Sequence, residues 1–73
     1  MNKTRRKAIE KVVEQLLECE ETMENIRDEE QEAYDNLPES LQDSEKGEAM
    51  TEWVDAMEDS LGAIREAIEY LDL

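Results

Sequence analysis

Histidine and phenylalanine are absent from this chain, and cysteine, proline and tryptophan occur once each. Without histidine, and with Cys19 alone, no ligand set exists for a structural zinc site and no pair for an intrachain disulfide. The commonest general base at neutral pH is missing too. Cys19 stands among Glu18, Glu20 and Glu21, surroundings unlike those of an activated cysteine. The expectation is therefore a protein that is not an enzyme and that takes no metal and no cofactor. Long apolar runs are also lacking: the longest are dipeptides such as Val12-Val13 and Leu16-Leu17. A membrane span needs about 20 apolar residues, and a secretory leader a run of about 7–15 after its charged start. Neither follows Lys3-Thr4-Arg5-Arg6-Lys7, so a cytoplasmic location, with no membrane partner, is expected; a lone unpaired cysteine fits that compartment.

Basic residues are scarce beyond the first eleven positions. Lys3, Arg5, Arg6, Lys7 and Lys11 are five of the eight, and Glu10 is the single acid among them. Residues 12–73 hold only Arg27, Lys46 and Arg65 against 21 acids, so a segment of +4 precedes a body of −18, giving the net −14. A body so acidic repels nucleic acid phosphates and anionic membranes and attracts basic protein surfaces.

Glycine and proline are confined to Pro38, Gly47 and Gly62. Pro38 and Gly47 bracket a polar segment that divides the chain into two helical stretches, about 3–36 and about 45–72, joined by a turn over 37–44. Pro38 suits the first position of a helical turn, Ser40 and Asp43 have capping-box-like spacing, Asp43 or Ser44 can cap the second helix, and Asn2 or Thr4 the first. In the first stretch Ile9, Leu16, Met23, Glu30 and Leu37 repeat every seven residues, with Val12, Cys19, Ile26 and Ala33 three positions on. That spacing predicts an a/d seam with one defect, Glu30, widened on either side by Val13, Leu17 and Tyr34; with Arg27 one turn earlier, Glu30 is expected to form an ion pair or to serve as a polar register device. In the second stretch Val54, Leu61 and Ile68 take the a positions, and Met50, Met57, Ile64 and Leu71 the d positions. Small or apolar residues also line its flank, among them Ala49, Trp53, Ala56, Ala63 and Ala67. An apolar arc that wide needs more than one neighbouring helix. The expected fold is an all-α antiparallel helical hairpin, one domain over 1–73, that assembles as a four-helix-bundle-like homo-oligomer with those five residues at the interface.

Arg27-Asp28-Glu29-Glu30-Gln31-Glu32-Ala33-Tyr34-Asp35-Asn36-Leu37-Pro38-Glu39-Ser40-Leu41-Gln42, continuing in Ser44-Glu45-Lys46-Gly47-Glu48-Ala49-Met50, resembles small acidic helical-hairpin proteins of bacteriophages and integrated elements of Gram-positive bacteria. The resemblance is strong over the central third and compositional over the helices. It implies a phage context, in which small acidic proteins inhibit host defence proteins or sequester nucleotide signals. It supplies no site residues.

Three functional readings follow. In the first, the acidic face, represented by Glu52, Asp55 and Asp59, mimics a nucleic acid backbone and occupies a basic groove on a host protein, without binding nucleic acid itself. In the second, Arg5, Arg6 and Arg27 grip a small nucleotide at an oligomer interface. In the third, the chain is a structural coiled-coil component.

Overall fold

A computed structural model describes residues 1–72; Leu73, part of the domain expected from the sequence, lies outside the described residues. The chain forms a long helix α1 (Lys3–Asp35), a single-turn helix α2 (Glu39–Gln42) and a second long helix α3 (Glu45–Tyr70). α1 and α3 pack against one another along an elongated body of 58 × 15 × 13 Å. None of the helices is long and apolar enough to cross a membrane, among the described residues.

Local chemistry sets each helix end. The Asn2 side-chain oxygen accepts the Arg5 backbone N–H at 2.8 Å, starting α1. No glycine or proline interrupts the next 33 residues, so the helix runs about 50 Å. Pro38 disfavours helical backbone at Leu37 and stops it. Its own place is one residue before α2, with Glu39 as the first helical position, and Ser40 lies inside that turn rather than capping it. Gln42 then closes the end of α1. Its side-chain amide donates to the carbonyls of Tyr34 and Leu37 at 3.3 and 3.2 Å, tying the α2 turn to the last turn of α1 and the residues just after it. Ser44 caps α3: its hydroxyl donates to the Leu41 carbonyl and accepts the Gly47 N–H. Glu45 and Glu48 occupy the first turn, where the helix dipole favours acids.

The intramolecular core is thin. Val54, Met57 and Leu61 are its buried apolar side chains, and Leu61 alone is completely shielded. α1 covers them with half-buried residues, Ile9, Val13, Leu16, Glu20, Met23, Glu24, Arg27, Glu30 and Tyr34, and half-buried Leu37 continues the stripe just beyond the helix. This corrects the expected seam. The row Ile9, Leu16, Met23, Glu30, Leu37 does face α3. Its companion is not Val12, Cys19, Ile26 and Ala33, all of which are exposed, but the row one residue on: Val13, Glu20, Arg27 and Tyr34. Glu20 and Arg27 fit at a seam because their aliphatic stems can lie along apolar surface while their charged heads reach its edge. Arg27 pairs there with Asp28 at 3.0 Å, and not with Glu30 as expected.

Arg65 makes the ion pairs that link the two long helices. Its guanidinium donates to Glu20 at 2.7 Å and to Glu24 at 2.9 Å, bridging α3 to two successive turns of α1. These hydrogen bonds, first to Glu20 and then to Glu24, raise the Arg65 pKa above its ordinary value.

Candidate interaction surfaces

With 3.6 residues per turn, positions that alternate three and four apart form one stripe along a helix. Beside its seam, α1 carries such a stripe in Ala8, Val12, Gln15, Cys19, Thr22 and Ile26, continuing through Glu29 to Ala33. All are exposed and only Glu29 is charged. α3 carries its counterpart in Ala49, Trp53, Ala56, Ser60, Ala63 and Ala67, ending at Tyr70. None of these seven is charged, and all but half-buried Ala67 are exposed. Trp53 is 64% exposed and Ile26 46%.

In an antiparallel pair, stripes on the same rotational flank of the two helices fall on one side of the hairpin. The structure shows this directly. Ile26 and Glu29 from α1 share a shallow groove of about 480 Å³ with Trp53, Ala56 and Ser60 from α3, floored by Met23 and Met57 and edged by Glu30. The interface residues expected from the sequence, Ala49, Trp53, Ala56, Ala63 and Ala67, therefore belong to a face that α1 completes. The exposed row Val12, Cys19, Ile26 and Ala33 is its other half. Its sequence signal is a charge-poor heptad stripe on α1, which periodicity alone does not distinguish from the intramolecular seam.

The other flank is acidic. Glu48, Glu52, Asp55, Asp59 and Glu66 run down α3 without an intervening base, and all are exposed. Over these residues the row spans about 27 Å, one charge per roughly 5 Å, against one per about 1.7 Å of axis in duplex DNA. Exposed acids of α1, including Glu10, Glu21 and Asp28, add to the acidic surface.

The three arginines of the anion-binding reading are not gathered within one chain. Arg5 and Arg27 are separated by about 33 Å of helix. Arg6 lines an open cavity of about 810 Å³ at the hairpin's terminal end, with Ile9, Val13, Ile68 and Leu71, but Glu10, Glu69 and Asp72 line it as well. Three carboxylates around one guanidinium make a poor seat for an anion. Among the described residues no group of three or more His, Cys, Asp or Glu side chains is arranged to hold a metal ion.

The chain matches no protein-family model, no curated protein and no solved structure.

Proposed function

We propose that this chain is a non-catalytic binding protein, a homo-oligomeric helical bundle whose acidic flank engages a basic surface of a partner protein stoichiometrically. The observation that carries the reading is the separation of charge between the two flanks of the hairpin. Acids placed only for solubility need not be kept off one flank, and the excess over a modest net charge goes beyond what solubility asks. Glu52, Asp55 and Asp59 lie at the middle of the acidic row and are fully available to a partner. A groove that normally holds nucleic acid is the complementary shape and charge for a rod of acids of this length. The resemblance to phage-encoded acidic hairpins supports a host defence protein as the owner of that groove, with binding in the host cytoplasm.

The test begins with capture of a partner from host lysate and native mass spectrometry of the complex. The recovered partner is then titrated with the Glu52→Lys, Asp55→Lys, Asp59→Lys triple variant, and with duplex DNA as competitor. The reading expects the triple variant to lose binding while its helicity is unchanged, and DNA to compete. Equal binding by the triple variant, or loss of function on Arg5→Ala, Arg6→Ala instead, overturns it in favour of the nucleotide-binding or scaffold readings.

A further inference from the structure

The hairpin exposes far more surface than its size warrants. A compact monomer of 8.5 kDa has about 4,700 Å² of accessible surface, whereas this chain has 5884 Å². The excess, about 1,200 Å², is larger than the roughly 800 Å² that each partner buries in a standard interface. The charge-poor flank is where that excess can be covered, because covering the other flank with a like chain would bury acid against acid.

We infer that this flank is the docking face for a second copy of the chain, and that two hairpins pack face to face about a two-fold axis. The inference rests on the homo-oligomer reading above and adds the face, its α1 half and the symmetry. Three features single out a second copy. The stripes carry one charge, Glu29, with Glu30 at the groove's edge, in a chain that is 41% charged, so two copies meet there with far less repulsion than on the acidic flanks, which stay in water. The face has a ridge and a groove of its own. Ile26 and Val12 stand out from α1 and Trp53 and Tyr70 from α3, while Ala56, Ser60 and Ala63 leave a low stretch between those two aromatics. A two-fold axis requires each patch to meet its complement on the same surface, and a ridge beside a groove satisfies that. Finally, a face built from two long helices matches in length and shape a second face built the same way, which a short peptide does not.

Trp53, the only tryptophan, sits on this face and reports its occupancy. The full chain is examined by sedimentation equilibrium across the micromolar range, with Trp53 emission and acrylamide quenching measured in the same samples. The expected wild-type mass is about 17 kDa, twice the chain mass, with Trp53 shielded from quencher. Ile26→Glu and Ala56→Glu each place a carboxylate at the face centre and should weaken association by roughly tenfold or more. Both should remain helical, with red-shifted Trp53 emission, and Asp59→Ala should leave the dimer intact. A wild-type monomer overturns both the homo-oligomer reading and this face. A wild-type oligomer that survives both substitutions, or in which Trp53 is as accessible as in the lone hairpin, keeps the oligomer and overturns the face. Should either variant unfold, the wild-type quenching result alone decides.

Discussion

Gly47 and Gly62 lie in the same helix, yet alanine should act on them with opposite sign. Glycine in a helix costs about 0.5–1 kcal/mol relative to alanine, so helix propensity alone favours both substitutions. Gly62 has open space where a Cβ would stand, so Gly62→Ala should gain about that amount. Gly47 is buried, and a Cβ there would run into the Gln42 carbonyl and crowd that of Leu41. Both obstacles are backbone, held by the α2 turn, the Ser44 cap and the Gln42 amide, so they cannot move without loosening the end of the hairpin. Overpacking costs about 1–3 kcal/mol, and obstacles of fixed backbone place this case in the upper half, about 2–3 kcal/mol, so after a propensity gain of up to about 1 kcal/mol about 1–2 kcal/mol of net loss remains. For a domain of this size each kcal/mol moves Tm by about 4–8 °C, so Gly47→Ala should melt roughly 4–16 °C below wild type and Gly62→Ala a few degrees above it. Circular dichroism melts at one fixed protein concentration, with urea titrations for the free energies, compare the three chains. A Gly47→Ala chain as stable as Gly62→Ala would refute the close packing of the turn on α3.

Leu61→Ala removes the one completely shielded side chain and should cost about 2–5 kcal/mol by urea denaturation, with slope unchanged; a loss under about 1 kcal/mol contradicts its central place. Glu30→Leu should be neutral or stabilising in the same assay, since Glu30 is half-buried beside Met57 with no basic side chain within ion-pair distance among the described residues. A marked loss there would show a buried partner for its carboxylate. Arg65→Ala should lower Tm slightly at low salt and hardly at all in molar salt, because a half-exposed clasp is screened; a loss that persists in molar salt would mean Arg65 acts through packing.

The hairpin was legible because punctuation and periodicity agree. Asn2 and Ser44 are strong caps, Pro38 is the sole proline, and Glu30 is the one defect in the heptads of the first helix. The α3 core was legible for the same reason: Val54, Met57 and Leu61 are apolar, evenly spaced and backed by acids. The α1 seam was misread because apolar content favoured Val12, Cys19, Ile26 and Ala33 over a row containing Glu20 and Arg27. Which row faces inward depends on the partner helix, and in the folded hairpin Arg65 meets Glu20 of the charged row, and neighbouring Glu24, across the gap. That pairing spans 41 and 45 residues of sequence and has no local signature. In the sequence Gly47 only marks the edge of the turn segment, because its need for space arises once α2 folds back on α3. Of the candidate surfaces, composition revealed the acids, but their separation from a charge-poor flank emerged only when both helices were placed side by side.

The central claim is that the acidic flank binds through charge. The measurement that tests it most directly is the salt dependence of partner affinity for the wild-type chain and the Glu52→Lys, Asp55→Lys, Asp59→Lys variant. Contacts between surface charges are screened over about 10 Å at 0.1 M salt, so wild-type affinity should fall steeply as salt rises. The variant should bind weakly at low salt and show a much shallower slope. Affinity that is insensitive to salt in the wild type, or a slope that the three reversals leave unchanged, would contradict the account.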